Sequence, residues 1–269
     1  MKPWQNLVFL KLGGSLITDK LRPRTSRPDV IHRLAGEIAQ AIHENPHLRL
    51  LVGHGSGSFG HVPAQKYQTR RGVFSPEGWT GFAEVWKEAA ALNRIVMDAL
   101  HTAGLPAIAL PASAGLTAEA GQAAQWNLEP LSMALQAGLL PVVYGDVIFD
   151  RQRGATIFST EQLFAHLARI LKPAGILLAG IEDGVWVDFP ACTQWIERIT
   201  PLNIAQVSAA LGSSVGTDVT GGMQHKVQEM LALVEELPGL QVRIFSGAKP
   251  GLVAQALLGG SPGTLIAPR

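Results

Sequence analysis

Short apolar segments alternate with longer segments of helical periodicity along the chain. Apolar runs bounded by glycine, proline or polar turn residues predict strands at residues 7–12, 48–52, 106–110, 141–144, 175–179, 242–245 and 264–266. Apolar positions at helical spacing predict helices at residues 29–44, 79–103, 131–137, 161–171, 204–211, 223–237 and 252–258. This alternation favours an α/β fold, an open three-layer αβα sandwich with a mainly parallel central sheet.

A polar turn at residues 150–154 interrupts the alternation of strands and helices. It separates two short apolar runs, 147–149 and 156–158, and this arrangement predicts a β-hairpin. The sequence contains no linker, charge block or obvious repeat. We therefore expect a single domain over residues 1–269, with a soft boundary near residue 172 that separates two lobes, 1–172 and 173–269.

The composition argues against nucleic-acid binding and membrane insertion. The chain has 269 residues, with 22 Lys and Arg against 21 Asp and Glu, and this balance argues against a nucleic-acid partner. No run approaches the ~20 apolar residues of a membrane-spanning helix, and the start of the chain lacks the long apolar region of a signal peptide. Cys192 is the single cysteine, so an internal disulfide is excluded. We expect a cytoplasmic protein without a membrane partner, in which Cys192 is inert.

Three glycine-rich segments follow predicted strands or precede predicted helices, at residues 11–15, 53–61 and 217–222. In open α/β sheets, ligands bind beyond the carboxyl ends of the strands. Glycines let backbone N–H groups approach an anion, and the N-terminus of a following helix adds a favourable dipole. One such segment alone would indicate only a tight turn. Three together favour phosphate binding.

The middle segment matches two nucleotide-binding motifs only in part. Gly55, Gly57 and Gly60 fit G-x-G-x-x-G, but no strand with an acidic end follows about 20 residues later, as a dinucleotide site requires. The segment also resembles a P-loop, but His61 and Val62 stand where lysine and a hydroxyl residue are needed. Neither an ordinary dinucleotide site nor an ordinary P-loop is therefore predicted.

Basic residues accompany these segments. Lys11 lies in an otherwise apolar strand, where an ammonium group is costly to bury without an anion. Lys20 and Lys226 are either further phosphate ligands or solvated surface charges. His61 is either a phosphate donor or a histidine packed at a helix start, whereas His54 is better explained as structural. Several cations around one small site favour phosphoryl transfer.

The chain resembles the amino acid kinase family. It shares K-x-G-G-S at residues 11–15 and D-x-x-G-G-M-x-x-K at residues 218–226, and the ending G-S-F-G-H at residues 57–61 is most similar to the members that phosphorylate isopentenyl phosphate. Fosfomycin kinases share that ending in part. The resemblance covers residues 7 to 266, nearly the whole chain.

The resemblance implies an ATP-dependent kinase that uses Mg²⁺ and converts isopentenyl phosphate to isopentenyl diphosphate by direct in-line transfer. It also implies a homodimer, with the acceptor in the lobe of residues 1–172 and the nucleotide in the lobe of residues 173–269. The residues implied to act in phosphoryl transfer are Lys11, Lys20, His61 and Lys226, and among them Lys20 best matches the residue that stabilises the transition state. No protein ligand for a metal is implied.

The same resemblance implies which residues bind the two substrates. The implied acceptor-binding residues are Ser56, Gly57, His61, Gly145 and Thr160. The implied nucleotide-binding residues are Lys11, Gly13, Gly14, Ser15, Gly57, Asp183, Gly184, Gly222 and Lys226. His61 is implied to donate a hydrogen bond to the phosphate of the acceptor.

The chain departs from the family at residues 159–163. Many relatives have S-G-D-Q-L there, and the aspartate is thought to orient the phosphate-binding lysines. Here Thr160 replaces the glycine and Glu161 the aspartate, so we expect a shift in local geometry, and a shift of ~1 Å can cost appreciable rate.

An apolar stripe on the predicted helix 79–103 either lines the acceptor's tail pocket or belongs to the core; it comprises Phe82, Val85, Trp86, Ala89 and Ala90.

Two alternatives remain open at this point. One is a kinase for another small phosphate or phosphonate such as fosfomycin, because His61 would contact the phosphorus oxyanion and not the tail. The other is a nucleotide-binding sensor without turnover, and the Glu161 departure is its only support.

Overall fold

The computed structural model describes residues 6–211 and 222–269. Strands and helices alternate along both described ranges. The strands are β1 (Leu7–Leu12), β2 (Arg49–His54), β3 (Ala107–Ala109), β4 (Leu116–Glu119), β5 (Gln122–Trp126), β6 (Leu140–Tyr144), β7 (Asp146–Asp150), β8 (Gly154–Phe158), β9 (Gly175–Gly180), β10 (Val185–Trp186), β11 (Trp195–Ile196), β12 (Arg198–Ile199), β13 (Gln241–Ser246) and β14 (Thr264–Ile266). The helices are α1 (Gly14–Ile17), α2 (Pro28–Glu44), α3 (Gly57–Tyr67), α4 (Pro76–Thr102), α5 (Glu129–Gln136), α6 (Thr160–Leu171), α7 (Ile204–Leu211), α8 (Gly222–Glu236) and α9 (Leu252–Leu257).

The central sheet has eight strands in the order β12-β14-β13-β9-β1-β2-β6-β3. Its pairs are parallel except β13 with β14, which is antiparallel. One hydrophobic core lies between one face of the sheet and α1, α2, α4 and α9. A second core lies between the other face and α5, α6, α7 and α8. The predicted three-layer αβα sandwich is therefore confirmed.

Strand β1 lies in the middle of this sheet and pairs with β2 on one side and β9 on the other. Successive side chains of a strand point to opposite faces. Leu10 and Leu12 enter the first core, whereas Leu7 and Phe9 enter the second. Lys11 follows Phe9 in this alternation, so its side chain lies on the face that α6 and α8 cover.

The predicted hairpin is confirmed as β7 and β8, which pair antiparallel. The structure extends it with β4 and β5 into a separate four-stranded sheet, in the order β5-β4-β7-β8. The sequence did not predict β4 and β5, because these strands are short and partly exposed and their pairing shifts register between Thr117 and Ala118. It also did not predict α3, whose glycines and Pro63 disfavour a helix.

The central sheet takes strands from both sides of residue 172, since β1 and β2 precede that residue and β9 and β13 follow it. One continuous sheet therefore spans the predicted boundary, and the division into two lobes stays a prediction. Among the described helices, none is both long and apolar enough to cross a membrane.

Candidate active site

A cleft of about 420 Å³ lies at the carboxyl ends of β1, β2 and β9. It brings together most of the residues that the sequence singled out. The predicted site residues that line it are Lys11, Gly13, Gly14, Ser15, Lys20, Ser56, Gly57, His61, Gly145, Thr160, Gly222 and Lys226. Their roles stay predictions, but their convergence meets the geometric requirement for a shared phosphate site.

The first two glycine-rich segments touch each other at the floor of the cleft. A Cβ atom on Gly14 would lie 2.7 Å from the backbone nitrogen of Gly57, closer than any side chain tolerates. Gly57 itself has a φ of +50°, and a Cβ there would meet the Thr18 hydroxyl at 2.2 Å. Only glycine satisfies both positions. The resulting floor consists of backbone, which suits close approach of a phosphate.

Three charged side chains from different elements meet above this floor. The ammonium group of Lys11 forms an ion pair with Glu161 at the start of α6, and the Nζ atom of Lys226 on α8 lies 3.9 Å from the same Oε1 atom. Burial opposes ionisation of Glu161, but the charges of Lys11 and Lys226 hold its pKa down to about 2. Two ammonium groups therefore lie within 4.0 Å of one carboxylate in this cluster.

The departure at Thr160 and Glu161 does not break this cluster. Ser159 and Gln162 form a capping box that fixes the first turn of α6 and places Glu161 opposite Lys11. The Thr160 hydroxyl donates a hydrogen bond to the His54 carbonyl at 2.7 Å. The methyl group of Thr160 occupies the place of a side chain at Gly53, where a Cβ atom would lie 2.6 Å away. Gly53 therefore accommodates the larger residue, and the Glu161 carboxylate still reaches both lysines.

One end of the cleft combines polar and apolar side chains on α3, α4 and β8. His61 on α3, Val85 on α4 and Ile157 on β8 line it. Among the five residues of the apolar stripe on α4, Val85 alone belongs to this lining. Phe82 packs on Phe149 with ring centroids 4.8 Å apart, and Ala89 is buried in the protein. Trp86, in contrast, is exposed. The stripe therefore divides between packing and surface positions, and it offers one position to an acceptor's tail.

The opposite end of the cleft lies beyond β9 and carries aromatic residues. Trp186 lines it and donates from Nε1 to the Glu182 carboxylate at 2.6 Å. Asp183 and Gly184, which the resemblance implied in nucleotide binding, are outside the lining. Asp183 instead pairs with Lys249 at 2.7 Å, and a Cβ atom on Gly184 would lie 3.2 Å from the Trp195 ring. The structure gives these two residues contacts within the fold.

The structure describes only the last residue of the third glycine-rich segment, Gly222. Residues 217–221 lie outside the described residues. Gly222 begins α8 with a φ of +65°, and Lys226 follows one turn later. This helix therefore delivers Lys226 to the cluster around Glu161.

Two further carboxyl groups in the cleft have raised pKa values. Burial raises the pKa of Glu229 on α8 to about 7, and the charge of Glu161 adds to the rise. Burial also raises the pKa of Asp146 to about 6, although amide hydrogen bonds from Ser113 and Val147 favour its ionised form. Perturbed carboxyl groups in a cleft are typical of functional sites.

Sequence reasoning missed several residues that line this cleft. They are Arg70, Asp146, Glu182, Trp186 and Glu229. Glu229 follows Lys226 by three residues, about one helical turn, and this spacing is a signal that could have identified Glu229. His54, in contrast, was correctly interpreted as structural, since it is fully buried and stacks on Tyr144.

Comparison with known proteins relates this chain to one family. The sequence profile described as "Amino acid kinase family" matches residues 6–246. The chain is 34% identical over 261 residues to the isopentenyl phosphate kinase of Methanothermobacter thermautotrophicus, covering 94% of this chain and 96% of that protein. It is 36% identical over 265 residues to the isopentenyl phosphate kinase of Haloferax volcanii, covering 97% of this chain and 98% of the relative. A solved isopentenyl phosphate kinase structure superposes with a TM-score of 0.81 at 32% identity, covering 97% of this chain and 100% of the other.

Proposed function

Because the chain belongs to the amino acid kinase family, we propose that it transfers the terminal phosphoryl group of ATP to isopentenyl phosphate and forms isopentenyl diphosphate and ADP. The observation that carries this proposal is the cluster of Lys11, Glu161 and Lys226 above a floor of glycine backbone. The similarity to isopentenyl phosphate kinases over nearly the full chain supports the choice of acceptor.

The described groups suit a direct in-line transfer. An oxygen of the acceptor's phosphate attacks the γ-phosphorus of ATP, the bond from that phosphorus to the bridging oxygen breaks, and ADP leaves. Lys11, Lys20 and Lys226 line one cleft, and in this proposal Lys11 and Lys226 neutralise charge on the polyphosphate. Such reactions depend on positioning and electrostatic stabilisation more than on covalent chemistry.

Magnesium fits this site as a companion of the nucleotide. Mg²⁺ usually keeps several waters and binds through one or two carboxylates together with substrate phosphates. Within the described residues no group of three or more His, Cys, Asp or Glu side chains is arranged to hold a metal. Phosphate oxygens of ATP would therefore hold the ion, and Glu229 and Glu182, which line the cleft, are candidates to contact its waters. When bound, the ion would neutralise phosphate charge.

The direct test is a coupled assay of ADP release over a panel of phosphate acceptors. The panel contains isopentenyl phosphate, dimethylallyl phosphate, fosfomycin and isopentenol. We expect the highest kcat/KM with isopentenyl phosphate and no turnover of the alcohol. A higher value with fosfomycin would assign the chain to a phosphonate kinase instead. ATP binding without ADP release for every acceptor would indicate a sensor.

A His61→Ala variant is expected to lose most of its turnover while its affinity for ATP changes little. His61 lies on α3 at the end of the cleft away from Trp186, where its imidazole can donate to a phosphate. Loss of such a charge-assisted hydrogen bond lowers kcat/KM for the acceptor by about tenfold to a hundredfold. Steady-state kinetics and ATP titration measure the two effects separately. Unchanged activity in the variant would refute the role of His61.

Two further parts of the proposal are open to simple measurements. Direct transfer predicts that mixing with radiolabelled ATP leaves no acid-stable phosphoenzyme, and a labelled enzyme would contradict it.

The homodimer implied by the family resemblance predicts a particle of twice the chain mass in analytical ultracentrifugation, and a monomer would contradict that.

A further inference from the structure

Arg70 is a half-buried cation in the cleft to which the site described above gives no role. It lies in the 3₁₀ turn Thr69–Arg71, between α3 and α4. The backbone of this turn is fixed against the hairpin, because the Thr156 hydroxyl on β8 donates to the Arg70 carbonyl at 3.1 Å. The guanidinium group therefore extends from an anchored backbone, on the same side of the cleft as His61.

Arg70 lines the same cleft as Glu229 of α8. Its positive charge favours the ionised form of the Glu229 carboxyl group and so opposes the rise of that pKa. The neighbouring Arg71 behaves differently, since it is exposed, is absent from the lining and donates to Gln68 at 3.0 Å. Of the two consecutive arginines, Arg70 lines the cleft and Arg71 is exposed outside it.

Arg70 also lacks a close counter-ion in the part of the chain that the structure describes. None of the described carboxylates lies within 4.0 Å of its guanidinium group, whereas Lys11 is paired with Glu161. A half-buried guanidinium group with no close partner is poorly compensated, since buried charges are usually paired. Its planar donors match two oxygens of a phosphate at once, which a lysine cannot do.

We propose that Arg70 is a further acceptor-binding residue, whose guanidinium group binds the phosphate of the acceptor together with His61. This inference rests on the proposed function and extends it. Arg70 lies on the wall formed by α3 and β8, which also carries His61 and Ile157, and the aromatic residues beyond β9 lie at the other end. The side chain thus selects acceptors that carry a doubly charged phosphate over uncharged alcohols.

The test compares Arg70→Met and Arg70→Lys with the matched control Arg71→Met, which removes the adjacent exposed arginine. We expect Arg70→Met to raise KM for isopentenyl phosphate by about tenfold to a hundredfold, as loss of a charged hydrogen bond predicts. KM for ATP should stay within about twofold, Arg70→Lys should recover part of the loss, and Arg71→Met should behave as the wild type.

Two outcomes would overturn the assignment of Arg70. One is an unchanged KM for the acceptor in Arg70→Met, and the other is an increase confined to the KM for ATP. Equal thermal unfolding midpoints and equal ATP binding in wild type and variant establish that the variant is folded. Turnover of isopentenyl phosphate by the wild type is measured in the same series, so failure of the proposed function is distinguished from failure of the role of Arg70.

Discussion

Replacing Lys11 with methionine is expected to lower kcat by about a hundredfold to a thousandfold, the usual loss when one preorganised group that stabilises transition-state charge is removed. Lys11 is 9% exposed and sits at the end of the central strand of the sheet, so solvent cannot replace its charge. Methionine keeps the length and the apolar part of the side chain. Lys226 remains near Glu161, which keeps the buried carboxylate partly compensated.

Steady-state kinetics with ATP and isopentenyl phosphate measure the effect of Lys11→Met. Lys66→Met is the matched control, because Lys66 lies on α3 outside the cleft and is paired with the exposed Glu84 at 3.8 Å. The control should keep wild-type kcat. A value of kcat in Lys11→Met within about threefold of wild type would mean that Lys11 only stabilises the fold.

Replacing Glu161 with glutamine is expected to affect both turnover and stability. The substitution leaves Lys11 without its ion-pair partner, and removing one member of a buried pair costs about 3 kcal/mol of unfolding free energy or more. The two lysines lose the carboxylate that positions them, so we expect kcat to fall by about a hundredfold. Glu161→Asp keeps the charge with a shorter reach, and we expect it to retain more activity than Glu161→Gln.

The same carboxylate makes stability depend on pH in a defined direction. The ion pairs hold the pKa of Glu161 at about 2 in the folded protein, below its ordinary value of 4.5. Its contribution to stability is therefore complete above about pH 5 and is lost as the pH falls toward about 2. Urea unfolding of wild type and Glu161→Gln at about pH 5 and about pH 3 tests this. The difference in unfolding free energy between the two proteins should shrink at the lower pH, and a constant difference would contradict the assignment.

Residues and strands that neighbouring positions in the sequence identify could be predicted. Lys11 could be identified because an isolated lysine in an apolar strand directly before two glycines is unusual whatever the rest of the fold does. The strands of the central sheet were predicted for a similar reason, since buried parallel strands are continuous apolar runs.

Residues that depend on distant packing could not be predicted in this way. Arg70 and Glu229 are 159 positions apart in the sequence, and only the fold brings both into the lining of one cleft. The contact between Glu161 and Lys11 likewise depends on the start of α6. Asp183 pairs with Lys249, a contact between residues 66 positions apart that the sequence does not indicate, and its implied role in nucleotide binding stays a prediction.

The central position of β1 limits how this enzyme can respond to its substrates. Six residue pairs join β1 to β2 and five join it to β9, so one strand ties the two ends of the sheet together. A hinge rotation between those ends would have to break these parallel ladders. Adjustment to the substrates therefore falls to the rim of the cleft, where the β7–β8 hairpin, the β10–β11 hairpin and α8 can shift over a rigid floor. The backbone at Gly13 and Gly14, which the family resemblance implies in phosphate binding, would then keep one shape throughout the catalytic cycle.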